Sequence, residues 1–400
     1  MPRLLALAAL LLAASAVRAQ TWQPAPPMAT PRTDAAWAVS DDHLYVFGGR
    51  QAGGVLLRSA EVFDPATGWS ALPPMNRARA DARAVVLDGD LYVLGGRDNG
   101  GALDDVEVYD TDENRWRSAP NLGEARIGHG VGVVDGQIFA VGGGGRSGGL
   151  LRTAERFRVG RWEPYPAWIQ PRPRALAGSA SVDDAVVLAG GFGLAGPVGT
   201  VDRYVPDAPP APLPTLLRAR GALALATDGE SLFAVGGRDA GNVRVSDVER
   251  LAAGASAWAS LTPLPEGREG AVAAVLGAYL YVVGGTAEFG TVLASAVRLP
   301  VVTVGTGDAP TPEDLPGLAL AGPNPARGTV RLRVTLARAQ DAALTVTDIR
   351  GRVVATLAAG PSAAGTRDVT WDASALPAGL YAARLVTAAG MAVVRIALVR

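Results

Sequence analysis

The chain contains no cysteine and no lysine, and only 2 histidines among its 400 residues. Without cysteine there is no disulfide, no thiolate ligand for a metal and no cysteine nucleophile. Without lysine, Schiff-base and lysine general-base chemistry are excluded, and all 37 basic side chains are the planar forks of arginine. Strand alternation places His43 and His129 at opposite faces, so we expect no shared metal and no cofactor.

Long apolar runs are also missing after the N-terminus. Pro2-Arg3 is followed by an apolar run from Leu4 to Val17 and by small residues around Ala19. This run is too short to span a bilayer, so we expect residues 1–19 to be a cleaved signal peptide, with a signal anchor as the alternative. We expect no transmembrane segment in the remainder. The net charge of −1 gives no reason to expect a nucleic acid as a partner.

What the chain has in quantity is glycine, with 50 residues, and much of it is periodic. Pairs of glycines recur every 46 to 48 residues, and an arginine precedes the first glycine of each pair by 16 residues. Two short apolar strands fit between each arginine and its glycine pair. A period of this length predicts an all-β, six-bladed β-propeller over residues 20–304. The glycine pairs are Gly48-Gly49, Gly95-Gly96, Gly142-Gly143, Gly190-Gly191, Gly236-Gly237 and Gly284-Gly285.

Five of the six units continue with a third strand that carries an acid, such as Glu61-Val62-Phe63-Asp64, and most have a tryptophan that opens the fourth strand, such as Trp69. Together with the glycine pair and the arginine, these parts make the unit resemble the kelch repeat, whose units fold as propeller blades. Trp22 is in phase as a fourth strand with no blade before it. We therefore expect the strand around Trp22 to complete blade six, with Val301–Val304 as the alternative.

The period ends near residue 304. Residues 305–317 are rich in glycine, proline, threonine and acids and are typical of a linker. Residues 318–400 predict a small Ig-like β-sandwich. Pro323-Asn324-Pro325, Asp348–Val353, Trp371-Asp372 and Leu376–Tyr381 resemble the sorting domain of proteins exported by the type IX secretion system. That resemblance implies secretion machinery as a partner and an extracellular or outer-membrane surface location, whereas a related Ig-like domain without a sorting role is the alternative.

Two groups of arginines are candidates for chemistry. The six arginines that precede the inner strands either line one mouth of the central channel or pair structurally with the recurring acids of the third strands. In blade six Val297 replaces that acid, so one arginine lacks its usual partner. The loop arginines after the glycine pairs are the better ligand candidates, because forked cations suit carboxylates. These are Arg50, Arg97, Arg146 and Arg238.

These features favour a monomeric, secreted, non-enzymatic recognition protein that binds a glycan or a protein. A first alternative is an enzyme, because six-bladed kelch proteins with signal peptides resemble bacterial sialic acid mutarotases. Arg126, His129 and Glu155 are the candidate catalytic set for that activity. A second alternative is a passive adhesion or surface-layer spacer.

Overall fold

A computed structural model describes residues 20–301, 316–348, 353–387 and 390–399. The first of these ranges forms a six-bladed β-propeller in which every blade is a four-stranded antiparallel sheet. The strands of each blade are given from the channel outward. Blade 1 consists of Ala36–Ser40, His43–Phe47, Ala60–Asp64 and Gly68–Leu72, and blade 2 of Arg83–Leu87, Asp90–Leu94, Val106–Asp110 and Arg115–Ala119. Blade 3 consists of Gly130–Val134, Gln137–Val141, Ala154–Arg158 and Arg161–Pro164. Blade 4 consists of Gly178–Val182, Ala185–Ala189, Val201–Tyr204 and Ala211–Leu213, and blade 5 of Ala224–Thr227, Leu232–Val235, Val248–Leu251 and Ala259–Ser260. Blade 6 consists of Val272–Leu276, Tyr279–Val283, Ala296–Pro300 and the N-terminal strand Gln23–Ala25.

Three short 3-10 turns and two small hairpins decorate the loops of the propeller. The turns are Ala52–Gly54, Pro166–Trp168 and Glu288–Gly290, and the hairpins are Arg97–Asp98 with Gly101–Ala102 and Phe192–Gly193 with Gly196–Pro197. None of the described residues belongs to a helix that is long and apolar enough to cross a membrane.

The N-terminal strand closes the propeller. Gln23–Ala25 pairs antiparallel with Ala296–Pro300, the third strand of blade six. Trp22 Nε1 donates a hydrogen bond of 3.0 Å to the carbonyl oxygen of Thr262, 240 residues away. Most other blade tryptophans bond in the same way to a carbonyl of the preceding blade, as Trp69 does to Pro26 at 2.8 Å. The prediction from the phase of Trp22 is therefore confirmed, with the strand itself just after Trp22.

The glycine pairs mark the places where two blades touch through their backbones. Gly96 donates its N–H to the carbonyl oxygen of Arg126 in the next unit at 2.8 Å. Its φ of 90° lies in the left-handed region, and a Cβ there would stand 2.6 Å from the carbonyl oxygen of Ala80. Only glycine satisfies both constraints without displacing backbone. Apolar residues of neighbouring blades then pack together, as Phe47 of blade 1 does with Leu91 of blade 2.

The C-terminal residues form a β-sandwich. One sheet consists of Gly317–Leu320, Thr329–Leu336 and Gly365–Asp372, and the other of Val353–Ser362, Gln340–Asp348, Gly379–Thr387 and Gly390–Leu398. Its core includes Leu344, Trp371 and Tyr381. The β-sandwich expected for residues 318–400 is therefore present, and its first strand, Gly317–Leu320, begins one residue earlier than that range. The predicted signal peptide (1–19) and most of the predicted linker lie outside the described residues.

Candidate ligand-binding rim of the propeller

The six arginines that precede the inner strands, called the repeat arginines here, are fully buried and bonded. Arg32 shows the pattern: its Nη1 donates to the carbonyl oxygen of Gly48 at 2.9 Å, and its Nη2 donates to Glu61 Oε1 at 2.5 Å. Glu61 also accepts the backbone N–H of Ala29 at 2.8 Å. Except in Arg174–Asp202, each pair of a repeat arginine and a third-strand acid thus joins the start of an inner strand, a glycine pair and the loop that enters the blade. The pairs with third-strand acids are Arg32–Glu61, Arg79–Glu107, Arg126–Glu155, Arg174–Asp202 and Arg220–Glu249.

These contacts decide between the two interpretations of the repeat arginines. The six repeat arginines are 0–2% exposed, so they do not present charge to the mouth of the channel. In blade six Val297 takes the register position of the acid, opposite Val282. Arg268 pairs instead with Glu266 at 3.1 Å, a side chain that is 48% exposed. Arg268 thus lacks the third-strand acid that the other repeat arginines have, as expected, and the solvent-facing Glu266 takes the place of that acid.

The structure brings Arg126, His129 and Glu155 into one region but seals them from solvent. Arg126 Nη2 lies 2.8 Å from Glu155 Oε1, and Arg126 and His129 are both 0% exposed. Burial, with Arg83 and Arg126 adding to it, holds the pKa of His129 well below its ordinary value. The neutral imidazole of His129 is thus enclosed in the blade beside a buried ion pair.

A closed circle of backbone hydrogen bonds frames the mouth of the channel on the face where the inner strands begin. The residue two positions after each repeat arginine has a φ between 52° and 61°. Its N–H donates to the carbonyl of the equivalent residue in the preceding blade at 2.7–2.9 Å. The six members of this mouth ring are Asp34, Asp81, Gly128, Leu176, Ala222 and Gly270. Because most of them are not glycine, the ring holds left-handed backbone conformations that the fold must stabilise elsewhere.

Outside the mouth ring lies a second circle, the rim, made of the residue directly after each glycine pair. Arg50, Arg97 and Arg238 stand there in blades 1, 2 and 5, with side chains 39%, 40% and 35% exposed. The rim also contains Gly144, Phe192 and Thr286 in blades 3, 4 and 6, and each rim residue bridges to the residue after the repeat arginine. Three of the four predicted loop arginines therefore lie on the same rim.

Each rim arginine is held by an acid that the sequence did not single out. Arg50 Nε lies 2.6 Å from Asp34 Oδ2, and Arg97 Nε lies 2.5 Å from Asp81 Oδ2. Arg238 Nε lies 2.7 Å from Glu269 Oε2. All three acids sit one or two residues after a repeat arginine, and that offset is the signal that could have found them.

The fourth loop arginine lies apart from this group. Arg146 is 70% exposed, and its Nη2 is 3.6 Å from Asp104 Oδ1. Asp98 and Asp239, the sequence neighbours of Arg97 and Arg238, pair with Arg77 and Arg218 instead.

The rim is electrostatically uneven. Burial is the main cause that raises the pKa of Asp34 to about 6, with Asp81 adding to it and Arg50 opposing it. On the blade 4 side, the ring of Phe192 lies under the guanidinium of Arg238, 4.9 Å from its carbon. The rim and the adjoining mouth ring therefore combine forked cations, an acid whose pKa is raised to about 6 and an aromatic ring that stacks on one of the cations. Among the residues described, no group of three or more histidines and acids is placed to hold a metal ion.

The comparisons with known proteins agree with this architecture. The KLHDC2/KLHL20/DRC7 Kelch-repeats domain model matches residues 10–191, and the FlgD Ig-like domain model matches residues 324–390. No curated protein sequence matches. A solved structure titled "Structure of YjhT" is similar at a TM-score of 0.61 and 17% identity, over 70% of this chain and 97% of that one. The chain thus contains a kelch-repeat domain folded as a six-bladed β-propeller, followed by an Ig-like domain.

Proposed function

We propose that this protein is a secreted recognition module whose rim binds a carboxylate-bearing ligand, either an acidic glycan or an acidic segment of a protein, at the cell surface. The kelch propeller itself fits a binding module, since its loops present varied side chains on a rigid frame. The carboxylate preference is argued from the rim arginines.

The observation that carries this proposal is the way Arg50 and Arg97 are held. Each donates only its Nε to a mouth-ring acid. Their terminal Nη1 and Nη2 groups have no hydrogen-bond partner in the part of the chain that is described, and both side chains are more than a third exposed. An arginine fixed through Nε still offers the Nη1–Nη2 fork, which matches a carboxylate in a bidentate geometry.

The charge balance of the site supports the same ligand class. Glu269 lies between two arginines, 2.7 Å from Arg238 Nε and 3.1 Å from Arg244 Nη2. Four arginines therefore face three acids around the rim, namely Arg50, Arg97, Arg238 and Arg244 against Asp34, Asp81 and Glu269. When these seven side chains are all ionised, the group has one more positive than negative charge. An incoming carboxylate would neutralise it.

The secretion part of the proposal depends on both termini. An N-terminal signal peptide would deliver the chain across the inner membrane, and the C-terminal domain would engage type IX secretion machinery. The Ig-like sandwich and the motifs within it support this proposal. Export of a reporter carrying residues 318–400, compared with the same reporter without them in a host that has that machinery, tests it.

The binding test uses the mature chain on an array of neutral, sialylated and uronic-acid glycans, at low and high salt. We expect a salt-sensitive signal on the acidic glycans that Arg97→Met and Arg238→Met each weaken about tenfold or more, since charge-assisted bonds contribute roughly 1.5–3 kcal/mol each. Arg161→Met is the matched control, because Arg161 is 75% exposed on the outer strand of blade 3, away from the rim. If the rim variants bind as the wild type does, the site is wrong. If no glycan and no acidic protein binds, the chain is a passive spacer.

A second candidate function is cofactor-independent mutarotation of an anionic sugar. It is favoured by Asp34, whose pKa of about 6 lets this carboxyl accept or release a proton near neutral pH beside the fork of Arg50. Asp34 would then replace the buried set of Arg126, His129 and Glu155 as the acid–base group. A rate of N-acetylneuraminate mutarotation no faster than that of buffer, measured by NMR, would exclude it.

A further inference from the structure

The central channel contains one arginine that the rim does not use. Five of the six inner strands begin with a small or apolar residue at the same register: Ala36, Gly130, Gly178, Ala224 and Val272. Blade 2 has Arg83 at that position, opposite Leu94. Arg83 lines a cavity of about 320 Å³ that runs between the inner strands of all six blades. A single cation thus enters an otherwise mostly apolar channel just below the mouth ring.

Arg83 reaches across two blades and is held there by backbone oxygens. Its Nε donates to the carbonyl of His129 at 2.9 Å, and its Nη2 donates to the carbonyl of Ala177 at 3.0 Å. Nη1 makes a long bond of 3.4 Å to the carbonyl of Ala82. A guanidinium carries five N–H groups, so two of them have no acceptor among the residues that the structure covers.

Two serine hydroxyls add further donors to the same cavity. Ser179 Oγ accepts the N–H of Val131 at 3.2 Å, and Ser181 Oγ accepts the N–H of Val133 at 2.9 Å. Both serines line the cavity with Arg83. Because each oxygen already accepts a backbone N–H, each hydroxyl still has its own hydrogen to donate. The blade 4 wall therefore faces the channel with O–H donors.

The cavity has no acid to balance these donors. No carboxylate in the described ranges is within ion-pair distance of Arg83, and no aspartate or glutamate lines the cavity. Asp34 and Asp81 are near enough to act on it electrostatically, but each is bound to its own rim arginine. Burial lowers the pKa of Arg83. A half-buried cation with two free N–H groups, beside apolar walls and hydroxyl donors and without a carboxylate, offers a place for an anion.

The far end of the channel indicates which anions could enter. The hairpin turns that follow the inner strands carry aspartates in five of the six blades: Asp41 and Asp42, Asp88, Asp135, Asp183 and Asp184, and Asp228. Their negative potential repels a polyanion much more than a singly charged ion, because the repulsion scales with charge.

From these observations we infer that Arg83, with the hydroxyls of Ser179 and Ser181, forms a binding site inside the channel for a compact monovalent anion, a halide or a short carboxylate. This site is distinct from the rim and does not depend on the proposed function of the rim. The bound anion would supply the negative charge that no side chain of the cavity provides for Arg83, and would stabilise the six inner strands around it.

The test measures Tm of the mature chain at constant ionic strength while bromide, or in a second arm formate, replaces the bulky sulfonate camphorsulfonate. A ligand that binds only the folded state raises Tm in a saturable way. We expect this rise in the wild type and in Arg97→Met and Arg238→Met, and its complete loss in Arg83→Met. Saturation by bromide alone or by formate alone tells a halide site from a carboxylate site. If only the rim variants lose the rise, or if Arg83→Met keeps it, the inference is wrong.

A crystal of the wild type soaked in sodium bromide gives an answer even if Arg83→Met does not fold. Anomalous density within hydrogen-bond distance of the free Arg83 nitrogens and the Ser179 hydroxyl supports the site. Water alone at that position in a soaked crystal, with bromide ordered elsewhere, overturns the inference.

Discussion

Neutralising Glu61 tests whether the repeat pairs hold the propeller together. In Glu61→Gln the side chain keeps its shape and can still accept the N–H of Ala29, but Arg32 loses its counter-charge. Both residues are nearly sealed from water, at 4% and 1% exposure. Breaking a buried ion pair by removing one partner costs about 3–5 kcal/mol. Since Gln retains part of the hydrogen bonding, we expect a loss of about 3 kcal/mol in the free energy of unfolding.

Blade six supplies the matched control. Glu266→Gln also removes the acid next to a repeat arginine, but Glu266 is 48% exposed and water can replace it. Exposed pairs contribute about 0–1 kcal/mol, so this variant should remain close to the wild type. Urea unfolding followed by tryptophan fluorescence measures both, and equal m-values are required for the comparison. A cost below about 1 kcal/mol for Glu61→Gln, or equal costs for the two variants, would refute the reasoning from burial.

Three further predictions concern strain, titration and closure. Gly96→Ala should lower the free energy of unfolding by about 3 kcal/mol or more, and Gly89→Ala by only about 1 kcal/mol. Both glycines have a φ of 90°, but only at Gly96 would an added Cβ clash with neighbouring atoms. Equal urea midpoints for the two variants would contradict this. Burial favours the neutral form of Asp34 and so raises its pKa from 3.8 to about 6. The contribution of this shift to the free energy of unfolding is therefore complete below pH 3.8 and is lost as the pH rises through about 6. By linkage it amounts to roughly 3 kcal/mol. Asp34→Asn should therefore lose less stability than the wild type between pH 4 and pH 7, and parallel pH profiles would contradict this. Deleting residues 20–25 should expose the edge of Ala296–Pro300, lower Tm and produce oligomers in size-exclusion chromatography, whereas an unchanged monomer would show that the closing strand is dispensable.

The sequence alone determined the architecture, because a blade is a local unit whose parts repeat at fixed spacing. The glycine pairs, the arginines 16 residues before them and the phase of Trp22 were enough to count the blades and to identify the closing strand. Pairing of the repeat arginines with third-strand acids was also open to prediction, since both recur at a constant offset. In blade six the same reasoning identified the missing acid at Val297.

The tertiary structure decided which charges can meet a ligand. The sequence offers both Arg126 and Arg97 as candidate site residues, yet Arg126 is sealed inside a blade and Arg97 is 40% exposed on the rim. Closure of the circle brings Asp34 next to Gly270, and the mouth ring exists only because the last blade meets the first. Arg83 breaks the small or apolar pattern at the start of the inner strands, but only the assembled propeller shows that it lines the channel. Exposure and counter-charge depend on what neighbouring blades place around a side chain, and a repeat read one unit at a time does not contain that information.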